Sequence, residues 1–291
     1  MHAVRRTSRA YITRCNARAF SAALLGGMAL TLASGCGRTK LSQSASCNRA
    51  SLRDLDNASW QKLTERKIYF GHQSVGSNII DGIRDLKKTY PQLHLHIVHS
   101  GDPSEVEKPT FIESLVGRNR DPESKTADFL GALKRGMGVQ GGVAMYKFCY
   151  VDMSRNTDVG KLFDEYRAAA ALIKARYPRV VQVHITMPLT TAEAPVGAFA
   201  KRLLMRTTDR DLDLKRNQFN DLLRQEYTGR EPIFDLATIE STRIDGSRTF
   251  FESGDKRVYS LAPEFTNDGG HLNELGRRIV AEQLLITLAR L

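Results

Sequence analysis

Cysteine is scarce in this 291-residue chain, with only Cys15, Cys36, Cys47 and Cys149. That is too few for the framework of paired cysteines that staples small secreted domains. Acidic residues are missing from the first 35 positions, which carry Arg5, Arg6, Arg9, Arg14 and Arg18. No apolar run is long enough to cross a bilayer comfortably, because the run over residues 19–33 stops short of the roughly 20 residues a spanning helix needs. Aromatic RNA-stacking motifs, zinc-finger spacings and basic tracts are lacking too, which removes the usual grounds for a nucleic-acid partner. There is no internal repeat and no low-complexity tract. His94, His96 and His99 have no Asp or Cys at ligand spacing, so they read as solvated histidines on an edge strand and no metal is expected.

The formal net charge is +11. Setting aside the five N-terminal arginines leaves +6, spread over a chain in which both signs alternate, the pattern of a solvated surface. With 41% hydrophobic residues the chain can bury an ordinary core. Its start reads as a targeting segment: a basic stretch, the apolar run, then Leu32-Ala33-Ser34-Gly35-Cys36. Those five residues resemble a bacterial lipobox, with Ala33 where Leu is usual. The resemblance implies a lipoprotein-type signal peptide over residues 1–35 and acylation of Cys36. It further implies export to the cell envelope, anchored to a membrane that faces the periplasm or the exterior. Residues 36–51 are polar and read as a tether, leaving 52–291 as the folded domain. An oxidising compartment would permit a Cys47–Cys149 bridge. Cys47 lies in the tether, however, and Cys149 ends an apolar strand, so Cys149 reads as a buried free thiol.

Strand-like and helix-like patterns alternate along the domain, which predicts a parallel sheet covered by helices on both faces. Strands are predicted over residues 67–71, 93–98, 143–150, 180–186 and 233–236. Ile79, Ile80, Ile83 and Leu86 recur at helical spacing. Helices are also predicted over 162–177, 217–227 and 274–291, the last with Leu275, Ile279, Leu284 and Leu288 pointing inward. Two insertions, 190–213 and 242–259, interrupt this plan. The first holds Lys201, Arg202 and Arg206; the second has turn signals at Asp245-Gly246 and Ser253-Gly254-Asp255.

Two segments carry chemistry. Phe70-Gly71-His72-Gln73-Ser74 puts a serine between a buried strand and the start of a helix. There it either caps the helix or stands exposed as a nucleophile at the positive end of the helix dipole. Ser77 competes for that role but falls inside the helix. Asn267-Asp268-Gly269-Gly270-His271 precedes the last helix. An Asp three residues before a His, across a glycine turn, supplies a general base and the group that orients it. His72 reads as a hydrogen-bonded part of the loop scaffold.

Taken together, the order and spacing of these segments resemble the SGNH (GDSL-like) hydrolase superfamily over roughly residues 65–291. The resemblance implies an α/β/α sandwich around a flavodoxin-like five-stranded parallel sheet. It implies Ser74 as nucleophile, His271 as base and Asp268 as its orienter. Oxyanion donors would be the Ser74 and Gly117 amides with the Asn119 side chain, from the loop Gly117-Arg118-Asn119-Arg120-Asp121-Pro122. Met187-Pro188-Leu189 and Phe234-Asp235-Leu236 are further shared features. Two blocks depart from the pattern. Gly-Asp-Ser is replaced by Gly71-His72-Gln73-Ser74, and Gly-x-Asn-Asp by Cys149-Tyr150-Val151-Asp152, where Val151 stands in place of the oxyanion-holding Asn. The activity implied is an esterase that uses no cofactor and cleaves a short acyl group, such as acetyl on a carbohydrate, through an acyl-serine. An O-acyltransferase with the same triad and a catalytically silent carbohydrate-binding lipoprotein are the alternatives. The expected partners are the ester substrate and a membrane, reached through Cys36.

Overall fold

A computed structural model describes residues 49–106, 109–192 and 206–291. Six strands form one wholly parallel sheet: β1 (Ile68–His72), β2 (Ile97–His99), β3 (Phe111–Leu115), β4 (Gly142–Tyr146), β5 (Val180–Ile185) and β6 (Ile233–Phe234), in the order β2-β3-β1-β4-β5-β6. Side chains alternate between faces along each strand. In β1, Ile68 and Phe70 join one apolar cluster and Tyr69 the other; in β4, Val143 and Met145 oppose Ala144 and Tyr146. The sheet is therefore buried on both sides, as an all-parallel sheet requires.

One cluster is completed by α2 (Val75–Thr89) and the C-terminal helix α7 (Glu274–Ala289). Ile79, Ile80, Ile83 and Leu86 are at most 2% exposed, each contributing roughly 1.5–3 kcal/mol of apolar burial. The two helices cross closely at Gly82, where a Cβ would sit 2.2 Å from the Arg277 carbonyl oxygen. The Arg277 guanidinium reaches Asp85 at 2.7 and 2.9 Å across the same crossing. The other cluster is covered by α3 (Pro122–Ala132), α4 (Val159–Arg176) and α5 (Arg206–Tyr227). A short α6 (Leu236–Ser241) and the hairpin β7 (Phe250–Ser253) and β8 (Lys256–Tyr259) follow β6. The hairpin turns at Gly254-Asp255, one of the two turn signals read from the sequence. A helix α1 (Asn57–Glu65) precedes β1. Ahead of α1, Ser51 Oγ and the Leu52 amide both bond Glu282 of α7, at 3.0 and 2.8 Å.

The three-layer α/β/α class is as expected, but the sheet has six strands and not five. The strand expected at 93–98 forms only at its end, as the edge strand β2, and β3 was not foreseen. β3 carries Glu113 and Ser114 where a buried strand is normally apolar, and both are buried, paired to histidines and to the Tyr69 hydroxyl. β4 stops at Tyr146, short of the expected residue 150, and α5 starts eleven residues earlier than expected, within the first insertion. Leu275 is 40% exposed and does not point inward, whereas Leu284 and Leu288 do. Cys36, Cys47, Lys201 and Arg202, like the Arg206 side chain, lie outside the described residues. Cys149 is a buried free thiol.

Candidate active site

β1 and α2 meet at Ser74, which has φ 37° and ψ −91°. Among the described residues only Ser74 and Arg120 have positive φ without being glycine. Such a conformation costs on the order of 1–3 kcal/mol and persists only where surrounding contacts impose it. Those contacts are visible. Gln73 Nε2 donates to the carbonyls of Val116 and Gly117 at 3.2 and 2.9 Å. The Gly76 amide turns back to the Gln73 carbonyl at 2.8 Å. The Ser74 side chain makes no capping bond to α2. Its Oγ lies 3.1 Å from His271 Nε2, which decides against the capping alternative. Ser77 sits inside α2.

His271 comes from the loop leading into α7. Its Nδ1 donates to Asp268 Oδ2 at 2.6 Å, while Asp268 Oδ1 accepts the Gly270 and His271 amides at 2.9 and 2.8 Å. Gly269, with φ +92°, makes the turn that folds Asp268 back onto His271. The loop is tied to α2 by the Leu272 amide, which donates to Asn78 Oδ1 at 3.2 Å. Burial pushes the Asp268 carboxyl up. Hydrogen bonds from the Gly270 amide and from the His271 ring and amide outweigh it and hold the carboxyl at about 2. Asp268 is therefore an ionised acceptor at neutral pH, and it fixes the proton on Nδ1 so that the Nε2 lone pair faces Ser74.

The remaining expected residues are placed differently. Gly117 has φ +57°, and a Cβ there would lie 2.4 Å from the Lys125 amide nitrogen, so only glycine fits. Its own N–H donates to Asp128 Oδ2 at 2.7 Å. That corrects the expectation of a Gly117 amide free for an oxyanion. Asn119 is exposed, with Oδ1 accepting from Lys125 Nζ at 3.2 Å, and it makes no bond to Ser74 or His271. Asp152, from the same departing block as Val151, is neutralised by Lys125 Nζ at 2.6 and 2.8 Å, both side chains being fully buried. His72 is buried, its Nε2 3.0 Å from Glu113 Oε2, which His99 Nδ1 also meets at 3.1 Å. Burial keeps the His72 imidazole below its ordinary value despite Glu113. Burial raises Glu113, but bonds from His72 and His99 bring it down to about 2. His94 and His96 are exposed outside the strands. Asp235 caps α6 and pairs with Arg224.

One residue at the site had no role in the sequence reading. The Tyr150 hydroxyl lies 3.4 Å from His271 Nε2, and the two rings meet edge to face with centroids 5.7 Å apart. Its signal was its place beside Val151, in the block where a donor was missing.

No family model and no curated protein matches the chain. Solved structures do. One from Streptococcus pneumonia, provisionally described as a platelet activating factor, has TM-score 0.48 and 11% identity, covering 81% of this chain and 94% of that one. A GDSL-like lipase structure from Parabacteroides merdae has TM-score 0.45 and 13% identity, with coverages of 77% and 96%. The acetyl xylan esterase AlAXEase has TM-score 0.42 and 14% identity, with coverages of 75% and 97%. What is similar is the arrangement of strands and helices; the activities named belong to those proteins.

Proposed function

We propose that this chain is a serine esterase of the SGNH type that cleaves a short acyl ester through an acyl-Ser74 intermediate. The observation that carries the reading is the chain of contacts Ser74 Oγ–His271 Nε2–His271 Nδ1–Asp268 Oδ2, at 3.1 and 2.6 Å, with Ser74 strained and uncapped at the carboxyl end of a central strand. Ligands in open parallel sheets bind outside those ends. His271 takes the serine proton as Oγ attacks the ester carbonyl. It returns that proton to the departing alcohol, then activates water to release the acid. The Ser74 amide, which meets no acceptor among the described residues, faces the developing oxyanion in this scheme.

The polar tether and the lipobox-like Cys36 support export and a lipid anchor, and carbohydrate acetyl esters suit such a location as substrates. A fluorophosphonate probe should label the wild-type protein at Ser74, and p-nitrophenyl acetate should turn over faster than longer esters. Ser74→Ala and His271→Ala should each lower kcat on the order of 10³-fold or more, because triad members act as a unit. Absence of labelling at Ser74 would leave the silent carbohydrate-binding reading in its place.

A further inference from the structure

We propose that the Tyr150 hydroxyl is a catalytic hydrogen-bond donor to the leaving oxygen of the ester, sharing that oxygen with His271 Nε2. The inference rests on the esterase reading above and names a group that reading does not use.

The donors expected at the site are missing or already engaged. Val151, in the block where a side-chain donor is expected, has none to give. The Gly117 amide is taken by Asp128, and Asn119 meets neither Ser74 nor His271. The Tyr150 hydroxyl reaches the pair from the turn after β4.

Geometry then fixes which substrate oxygen it serves. With Nδ1–H committed to Asp268, Nε2 carries a single lone pair. Ser74 Oγ approaches it at 3.1 Å and the Tyr150 hydroxyl at 3.4 Å, so the serine is the better donor and the phenol proton stays free for another acceptor. Once Nε2 has taken the serine proton, it must pass it to the departing oxygen from within about 2.6–3.2 Å. A hydroxyl close to the same nitrogen is therefore beside that oxygen. In the step proposed, the Ser74 Oγ–carbon bond has formed and the carbon–alkoxide bond breaks. The electron pair goes to the alkoxide oxygen, Nε2 delivers its proton there, and Tyr150 donates a hydrogen bond while keeping its own proton.

The side chain is held for this task. The Tyr150 carbonyl accepts from Arg216 Nε at 2.9 Å, and Arg216 is itself 2% exposed and bonded to Thr190 Oγ1. Gly270 gives the ring its space: a Cβ there would lie 2.8 Å from Tyr150 Cζ and 2.9 Å from the hydroxyl oxygen. Burial, with the nearby Asp268 charge, pushes the phenol up to about 12, so it remains a donor at neutral pH.

Tyr150→Phe keeps the ring and removes only the donor. The test measures kcat/KM, which reports acylation, for a series of acetates whose leaving groups run from p-nitrophenol to ethanol. A good leaving group departs unaided; a poor one needs the donor. Tyr150→Phe should therefore lose about 10- to 100-fold on ethyl acetate, the range of one hydrogen bond to a charged group, and less than about threefold on p-nitrophenyl acetate. Equal losses across the series would overturn the proposal and move the donor to the carbonyl oxyanion. No loss anywhere would also overturn it, leaving Tyr150 as packing. Failure of the esterase reading itself is separable, since wild type would then neither label at Ser74 nor turn over any member of the series.

Discussion

Removing the Lys125 charge should destabilise the protein more than any surface change, and the size follows from the structure. Lys125 Nζ lies 2.6 and 2.8 Å from the two oxygens of Asp152, and both side chains are 0% exposed. Asp152 also accepts the amides of Cys149 and Arg120 at 2.7 and 2.8 Å, so it organises the turn after β4 and the loop after β3 together. Lys125→Met keeps most of the buried stem and leaves a carboxylate in the interior with two amides and no cation bonded to it, the buried Lys147 acting on it only through space. Breaking a buried pair from one side costs about 3–5 kcal/mol, mostly as the penalty of the stranded charge. For a domain of this size, each kcal/mol moves Tm by roughly 2–4 °C, so a fall of about 10 °C is expected by circular dichroism. Urea unfolding should show the same loss with an unchanged slope. Adding Asp152→Asn to Lys125→Met should recover part of the loss, because the stranded charge is gone. A Tm within about 2 °C of wild type for Lys125→Met would refute the reasoning, since it would mean Asp152 is not an isolated buried charge once Lys125 is removed.

In the pH profile of kcat/KM on an aryl acetate, activity should rise with a one-proton dependence. Asp268, held at about 2, adds no second acidic limb above about pH 3, and a two-proton dependence there would contradict the assigned contacts. Glu240 is fully buried, with Lys147 contributing the nearby opposite charge, and burial raises its carboxyl from 4.5 to about 8. Its folded value is above its unfolded one, so the stability it contributes is present below about pH 4.5 and lost as pH rises toward 8. That loss is on the order of 4 kcal/mol. Glu240→Gln should flatten this fall in thermal melts between pH 5 and 8, and an unchanged slope would count against it. Cys36→Ser should release the protein to the soluble fraction or stall its export, with the purified domain still active; unchanged membrane association would remove the lipid anchor.

Periodicity made the apolar face of α2 and most of the sheet legible, because apolar side chains at 79, 80, 83 and 86, and in β1, β4 and β5, face clusters that bury them. β3 was illegible for the opposite reason. Glu113 is tolerable inside the sheet because two histidines, 41 and 14 residues away in the chain, converge on it and Arg84 of α2 lies 3.7 Å from its other oxygen. No local pattern encodes such pairing. The extent of β4 was overread because the apolar run continues after the strand: Phe148 and Cys149 are buried, but in irregular chain. At the site, Ser74, Asp268 and His271 could be picked out because each sits at a strand–helix or loop–helix boundary marked by glycine. Gly117 was also found, but for the wrong duty. A glycine in the left-handed region and an amide free to bind an anion look alike in sequence, and only the position of Asp128 separates them.

The extra residue that the resemblance implies in the first block raises a sharper question, since one inserted position in a strand normally turns every later side chain to the other face. Here the strand itself absorbs it. β1 continues through His72, which pairs with Leu115 of β3, and the imidazole stays buried against Glu113. Gly71, not the serine's neighbour, then meets the packed sheet: a Cβ there would lie 2.8 Å from Val116 Cγ1 and 3.4 Å from Tyr146 Cβ. Gln73 crosses from strand to helix with its amide bound to two carbonyls of the β3 loop. The strained dihedrals fall on Ser74 alone, which redirects its Oγ toward His271 and not into the first turn of α2. Gly76 completes the arrangement, because any Cβ at that position would lie 2.3 Å from His72 Cβ. The block Gly71-His72-Gln73-Ser74-Val75-Gly76 is thus one device: a longer strand, a clamped glutamine and a glycine-cleared imidazole that together deliver the Ser74 hydroxyl to His271.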